Sequence, residues 1–266
     1  MNDASLQFLK TMLETPSPSG YEAQIQKVVR DWAQNYADEI HTDRHGNLHC
    51  IRKGSHSNSG KTRKLMLAGH CDQIALMVQH IDENGYLYVQ PIGGWDMQIL
   101  LGQHLTVWGR SGAVHGVLSR KAPHLLTNEE RNKVPQFQDV WVDIGAKDRK
   151  EAESMVMIGD GVTVALGFKP MLNQLASSPA MDDKVGVWTV MEALRLLKGR
   201  QPRVDVYFVS TVQEEIGLRG ATTSAQGILP EVGVAVDVCH ATDTPGNDKK
   251  NIGDVKLGEG PVLHRG

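Results

Sequence analysis

An apolar run over residues 204–212 ends in two adjacent carboxylates, and this stretch constrains the fold more than any other. Its residues are mainly β-branched or aromatic, which is typical of a strand buried on both faces of a parallel sheet. Glu214 and Glu215 follow directly, before a glycine turn. Because ligands bind beyond the carboxyl ends of strands in an open α/β sheet, we expect this pair to lie at a binding edge. A solvated acidic turn is the ordinary alternative.

Two other apolar segments also end in side chains that could bind a metal ion. The segment 64–69 is followed by His70 and Asp72, which lie on one face of an extended chain because they are two residues apart. A carboxylate at that spacing can orient a metal-bound histidine. The segment 232–239 carries Asp237 near its end, and we expect it to be a third buried strand. Burying a carboxylate there is unfavourable unless it is paired or bound to a metal.

A helix follows two further aspartates, Asp182 and Asp183. Apolar residues recur behind them at helical spacing, and Lys198 and Gly199 indicate where the helix ends. Aspartates at a helix N-terminus usually act as ordinary caps, since they accept hydrogen bonds from the first turn and complement the helix dipole. Taken alone, Asp182 predicts no more than that.

Taken together, these strand ends and this helix start predict a metal centre. A parallel sheet gathers such ends on one edge, so one histidine and several carboxylates are expected within reach of each other. This set suits zinc, cobalt or manganese, and a carboxylate that bridges two cations is the usual core of two-metal hydrolases. The adjacent glutamates could then supply one ligand and one general base.

Between residues 75 and 165 the pattern changes to short alternating strands with glycine turns. Residues 82–85 and 109–112 are predicted hairpin turns. The predicted fold is therefore α/β, with a mainly parallel central sheet flanked by helices and an inserted small β-barrel or β-sandwich. We expect residues 1–74 and 166–266 to form the α/β domain in two parts and residues 75–165 to form the insert.

Several local features complete the prediction. A helix is expected over residues 5–14, and a second helix begins where Ser19 and Glu22 have capping-box spacing. Residues 54–60 are predicted to form a flexible loop by their composition. The three cysteines lack the spacing of a metal knuckle and are expected to be small core residues: Cys50, Cys71 and Cys239.

Composition excludes several classes of function. The net charge of the 266 residues is -3, and the basic residues are dispersed, so no nucleic-acid partner is expected. The chain has no apolar run of about 18 residues and no basic segment followed by an apolar core at its start. We therefore expect no membrane partner and a cytoplasmic location.

Four segments carry the ligand candidates in a fixed order: 69–72, 180–186, 211–221 and 237–246. In that order they resemble the dinuclear-metal aminopeptidases of the glutamyl-aminopeptidase and tetrahedral-aminopeptidase family, some members of which are labelled endoglucanases. The resemblance runs along essentially the whole chain and includes the inserted β-region.

The resemblance implies a role for each candidate. Glu214 is implied as the general base, and Asp72 is implied as the residue that orients His70. The implied cofactors are two divalent metal ions, zinc first, with cobalt or manganese as alternatives. The implied metal ligands are His70 and Asp237 for one ion, Glu215 for the second, and Asp182 as the bridge between them.

The implied reaction is release of the N-terminal residue from a peptide by an activated water. In relatives the inserted domain mediates dimer contacts, and the dimers can assemble into a hollow tetrahedral dodecamer. The resemblance therefore implies a peptide substrate and a homo-oligomer for this chain.

Two departures from the family pattern limit these implications. Gln73, Ile74 and Ala75 stand where the family has Glu-Ile-Gly, and we expect this change to alter packing beside the site rather than ligation. Relatives are also longer, and they supply a second-metal histidine from a C-terminal stretch that is missing here. His264 is a poor substitute because its segment holds no ligand in the family. The alternative hypothesis is a catalytically impaired or silent homologue that acts as an assembly subunit.

Overall fold

A computed structural model of the chain describes residues 2–55 and 63–264. Most of the loop predicted over residues 54–60 lies outside the described residues. The helices are α1 (Asp3–Glu14), α2 (Ala23–Ala33), α3 (Met97–Leu100), α4 (Asn128–Asn132), α5 (Arg149–Met155), α6 (Met181–Leu196), α7 (Arg219–Ile228) and α8 (Lys249–Ile252). Over the described ranges, the helices are too short or too polar for a bilayer span.

The strands form a central sheet, a barrel and a short two-stranded ribbon. The strands of the central sheet are β1 (Glu39–Thr42), β2 (Leu48–Arg52), β3 (Lys64–His70), β12 (Asp205–Thr211) and β13 (Val232–Ala235). The barrel strands are β4 (Ala75–Ile81), β5 (Leu87–Ile92), β6 (His104–Gly109), β7 (Gly112–Arg120), β8 (Val140–Asp143) and β9 (Gly161–Val164). The ribbon pairs β10 (Lys169–Pro170) with β11 (Ala176–Ser177).

The central sheet is mixed rather than mainly parallel. Its order is β1-β2-β12-β3-β13. Strand β3 pairs in parallel with β12 and β13, whereas β2 pairs antiparallel with β1 and β12. The prediction of a mainly parallel sheet is thus only partly correct. The short turn between β1 and β2, in which Asp43 accepts hydrogen bonds from three following backbone amides, forces an antiparallel pair.

Strand β12 lies in the middle of this sheet and is almost wholly buried, as its apolar sequence predicts. Helices α1, α2 and α6 cover one face, where Phe208 joins Met12, Val29 and Met191 in the main core. Helix α7 covers the other face, where Val209 packs with Ile228. Because both faces are covered, the polar residues that follow β12 lie beyond its carboxyl end, at the end of the sheet rather than on a face.

The prediction that residues 232–239 form a buried strand is wrong. Strand β13 is the outermost strand and pairs with β3 alone. All four of its residues are exposed, with Val232 at 56% and Val234 at 43%. An apolar run matches either a buried or an edge strand, so its burial depends on what packs over it, which the run itself does not specify.

The β-rich region closes into a six-stranded barrel of order β4-β5-β8-β7-β6-β9. Both predicted hairpins form, with Ile81 opposite Leu87 and Gly109 opposite Gly112. The barrel has its own core, in which Val78, Leu118 and Val142 are among the buried side chains. The structure thus resolves the choice between barrel and sandwich in favour of a barrel.

Two further expectations from the sequence need correction. Ser19 and Glu22 do not form a capping box, since α2 begins at Ala23 and its N-cap residue Glu22 makes no side-chain capping bond. Both side chains are buried and bond elsewhere, as described below. Cys239 is exposed, whereas Cys50 and Cys71 are buried as predicted.

Two histidines meet on the α7 face of the sheet. His49 on β2 is buried, and its Nδ1 lies 3.0 Å from His41 Nε2 on β1, while its Nε2 lies 3.1 Å from Ser224 Oγ on α7. Burial, with help from the neighbouring His41 ring, lowers the pKa of His49 to about 4. The folded protein therefore resists protonation at a position that the unfolded chain protonates readily.

This difference predicts a pH dependence of stability. As the pH falls from about 6.5 to about 4, the unfolded chain gains a proton on His49 and the folded chain does not, so the free energy of unfolding falls by up to about 3 kcal/mol. Replacing His49 by Gln should remove this part of the loss. Urea unfolding at pH 7 and pH 5 measures it, with exposed His124→Gln as the control. Equal losses in wild type and His49→Gln contradict the prediction.

Candidate metal centre

His70 is the last residue of β3, and its two ring nitrogens have different surroundings. Nδ1 lies 3.1 Å from the carbonyl oxygen of Asp72, and because a carbonyl only accepts, Nδ1 carries the hydrogen. In the neutral ring the lone pair is therefore on Nε2, which lies 3.1 Å from Asp182 Oδ1. Two lone pairs facing each other at this distance repel, so a proton or a cation must lie between them.

His70, Asp182 and Asp237 bring one ligand atom each to within 4.8 Å of one another. His70 is buried, and the two aspartates are exposed. Burial alone would lower the pKa of His70, but the carboxylates of Asp182 and Asp72 raise it to about 11. The negative field that favours a proton here also favours a divalent cation, so this donor set fits a metal ion of the kind that nitrogen and carboxylate ligands hold.

The carboxylate of Asp72 is completely buried and fully bonded. Its Oδ2 accepts hydrogen bonds from Ser19 Oγ at 2.6 Å and from the backbone N–H of Glu215 at 3.1 Å, and its Oδ1 accepts from the N–H of Glu214 at 3.0 Å. Its Oδ1 also lies 3.4 Å from His70 Nδ1. Although burial favours the protonated acid, the bonds from His70 and Ser19 hold the pKa of Asp72 below its ordinary value. Asp72 therefore stays charged beside His70.

Glu214 and Glu215 lie in the turn after β12, at the same edge of the sheet. Glu214 Oε2 lies 3.7 Å from His70 Nε2, and burial raises the pKa of Glu214 above its ordinary value. Burial, followed by the charge of Asp182, raises the pKa of Glu215 to about 7. Both glutamates thus lie beside the three-residue group, and neither is a member of it.

Asp183 contributes to the centre in a way that the sequence does not indicate. It is fully buried, and its carboxylate accepts the backbone N–H of His70 at 3.1 Å and that of Gly186 at 3.1 Å. Burial raises the pKa of Asp183 to about 8. Asp182 and Asp183 therefore differ in role: Asp182 belongs to the ligand group, and Asp183 ties β3 to the start of α6.

Two glycines allow this close approach of β3 and α6. A Cβ on Gly186 would lie 2.2 Å from Asp183 Oδ1, and a Cβ on Gly69 would lie 2.7 Å from the backbone nitrogen of Val187. Neither contact can be accommodated without moving the backbone. In the sequence, the glycines of the segments 69–72 and 180–186 are the feature that could have predicted this packing.

Ser19 and Glu22, which have capping-box spacing in the sequence, serve the site instead. Ser19 bonds to Asp72, and Glu22 Oε1 accepts the backbone N–H of Gly20 at 2.8 Å and of Gln213 at 3.1 Å. Gln213 precedes the glutamate pair and has a positive φ of 55°. The segment before α2 therefore supports both Asp72 and the glutamate turn.

The first departure from the family pattern also has a defined place. The buried ammonium group of Lys184 donates to Gln73 Oε1 at 2.8 Å and to the carbonyl oxygen of Thr15 at 2.7 Å. Burial lowers the pKa of Lys184 to about 7. Gln73 thus contributes to packing beside the centre and lies outside the ligand group, as does the exposed His264.

The chain resembles known peptidases in sequence and in structure. Residues 46–266 match the M42 glutamyl aminopeptidase family. The chain is 38% identical to the lysyl aminopeptidase of Pyrococcus furiosus over 98% of its own length and 73% of the relative's. Its structure resembles that of the TET aminopeptidase of the marine sediment archaeon Thaumarchaeota archaeon SCGC AB-539-E09, with a TM-score of 0.90, 38% identity and coverage of 97% of this chain and 72% of that one.

A second structural relative is the TET1 peptidase of Pyrococcus horikoshii, which can assemble into a tetrahedron or a large octahedral shell. The TM-score is 0.79 and the identity 30%, with 90% of this chain and 72% of that one covered. These matches in sequence and structure place the chain among the peptidases. The chain belongs to the M42 glutamyl aminopeptidase family.

The contacts of Asp72 predict its effect on metal binding. Asp72→Asn removes the charge beside His70 Nδ1, so zinc affinity of the metal-free protein should fall about 10- to 100-fold. Calorimetric titration with Zn²⁺ measures this, and exposed Asp31→Asn is the matched control. Unchanged affinity in Asp72→Asn would show that Asp72 does not support the metal ligand.

Proposed function

We propose that the protein is a metal-dependent aminopeptidase that releases N-terminal residues from peptides. The observation that carries this proposal is the convergence of His70, Asp182 and Asp237 at the carboxyl edge of the sheet, in a chain of the M42 family. Two of the relatives named above, those from Pyrococcus furiosus and the marine sediment archaeon, are aminopeptidases, which supports the same activity here.

The proposed cofactors are two divalent ions, with zinc as the first candidate and cobalt or manganese as alternatives. His70, Asp182 and Asp237 would hold one ion, and Asp182 and Glu215 would contribute to the second. When bound, such ions polarise the carbonyl group of the scissile bond and lower the pKa of a water molecule. The nitrogen and carboxylate donors at this edge are suited to that chemistry.

Glu214 is the proposed general base. It lies beside the ligand group without being part of it, and its raised pKa brings it closer to the range in which a carboxylate can take a proton and later return it. Glu214 would take a proton from the attacking water and pass it to the leaving amine. Asp72 would hold His70 in the tautomer whose Nε2 is free.

The proposed assembly is a homo-oligomer, a dimer through the barrel domain or a dodecamer built from such dimers. The assembly of the Pyrococcus horikoshii relative supports an oligomer. The proposed division into a catalytic domain of residues 1–74 and 166–266 and a dimerisation domain of residues 75–165 belongs to the same proposal. The cytoplasmic location stays a prediction from the sequence.

Substitution of the proposed base separates catalysis from metal binding. Glu214→Gln removes the proton acceptor and leaves the three metal ligands in place. The rate of hydrolysis of short peptides at saturating substrate should fall at least about 100-fold, with zinc content per chain unchanged. Glu129→Gln, on the exposed helix α4, is the control and should match wild type.

Two results would count against this role. Full activity in Glu214→Gln would show that another group moves the proton. Loss of zinc together with activity would show that Glu214 is a metal ligand.

A wild-type protein that binds zinc and hydrolyses no peptide would favour the alternative of a silent assembly subunit, for which the structure offers no observation of its own.

A further inference from the structure

A mainly apolar cavity of about 450 Å³ lies beside the candidate metal centre. Barrel residues and residues of the central domain line it together. The apolar members of the lining include Ile74, Trp95, Ile99, Leu100, Val164 and Leu166. A concave, mainly apolar site with a few polar groups is the usual form of a small-ligand pocket.

The wall of this cavity continues into the segments that carry the metal ligands. Gln73 and Ile74 follow Asp72 directly, and Ala180 stands two residues before Asp182. Ile74 and Glu215 also approach the same point of the backbone: a Cβ on Gly93 would lie 2.6 Å from Ile74 Cγ2 and 3.3 Å from Glu215 Cβ. A peptide held at the metal centre would therefore have this cavity next to it.

Two apolar side chains of the lining are left open to solvent. Ile99 is 61% exposed and Leu166 is 56% exposed, whereas Leu100 of the same cavity is buried. An apolar group that filled the cavity would also remove part of these two side chains from water, which is favourable.

Several polar atoms of the lining are bonded within the protein, whereas the buried Ser178 Oγ has no hydrogen-bond partner among the described residues. Trp95 Nε1 donates to the carbonyl oxygen of Ala75, Gln103 Nε2 donates to that of Ile99, and Gln73 Oε1 accepts from Lys184. A polar side chain that entered the cavity would lose its water and could gain Ser178 Oγ as a partner, whereas the rest of the mainly apolar lining favours an apolar side chain. Lys169, which is exposed, is the charged residue of the lining, and it could attract an acidic side chain.

We propose that this cavity receives the apolar side chain of one of the two peptide residues that flank the scissile bond. The inference rests on the proposed aminopeptidase function and adds a substrate class to it: peptides with a large aliphatic or aromatic residue at that position. Ile99 and Leu166 are the specificity-determining residues at its mouth.

The test compares peptides within one enzyme, so that losses of folding or metal cancel. Two series are used, Xaa-Ala-Ala and Ala-Xaa-Ala, with Xaa as Leu, Ala or Asp, and kcat/KM is measured for each. In the series whose Xaa side chain enters the cavity, wild type should have a kcat/KM for the Leu peptide at least about tenfold higher than for the Ala peptide. Leu166→Asp should bring this ratio close to one, and Ile99→Asp should lower it as well.

Leu196→Asp is the matched control. Leu196 is 62% exposed, lies at the end of α6 and is not part of the cavity, so its ratio should equal that of wild type. A Leu-to-Ala ratio that is the same in wild type, Leu166→Asp and Ile99→Asp in both series overturns the subsite. A higher kcat/KM for the Asp peptide than for the Leu peptide also overturns the proposal, and it would show that Lys169 attracts an acidic side chain to the cavity. Hydrolysis of none of the peptides overturns the aminopeptidase function itself, and the subsite with it.

Discussion

The buried carboxylate of Asp72 is the interaction on which the candidate centre depends. It joins three segments that are distant in sequence, because it follows β3 and accepts hydrogen bonds from Ser19 and from the backbone of Glu214 and Glu215. A buried charge without these donors would be strongly destabilising. Moving any one donor away from Asp72 would therefore lower the stability of the folded protein. The positions of His70 and the glutamate pair are therefore coupled.

Close packing between β3 and α6 is the second constraint. Gly69 and Gly186 let the two backbones approach, and Asp183 uses the resulting space to accept the N–H groups of His70 and Gly186. This packing leaves Asp182 facing His70 Nε2. The adjacent aspartates thus have different roles. Asp183 accepts hydrogen bonds from backbone N–H groups in the interior, and Asp182 remains available for a cation.

Much of this arrangement follows from local patterns in the sequence. The apolar runs predict β3 and β12, and the polar residues that follow them meet because the two strands are parallel neighbours. The helical spacing after Asp182 predicts α6, and the glycine turns predict the barrel hairpins. These predictions succeed because period and turn chemistry are local properties.

Other features depend on contacts that no local pattern contains. The direction of β2 relative to β12 and the exposure of β13 are set by which elements pack together. Ser19 has the spacing of a helix cap, but a buried carboxylate 53 residues away in the sequence takes its hydroxyl group. The role of Asp183 likewise requires the position of His70 to be known.

Anomalous X-ray diffraction from zinc-soaked crystals, recorded on both sides of the zinc absorption edge, shows whether these residues bind a metal ion. We expect an anomalous peak about 2.0–2.2 Å from His70 Nε2 and from carboxylate oxygens of Asp182 and Asp237. Absence of a peak at these three residues, with zinc bound elsewhere on the chain, would contradict it.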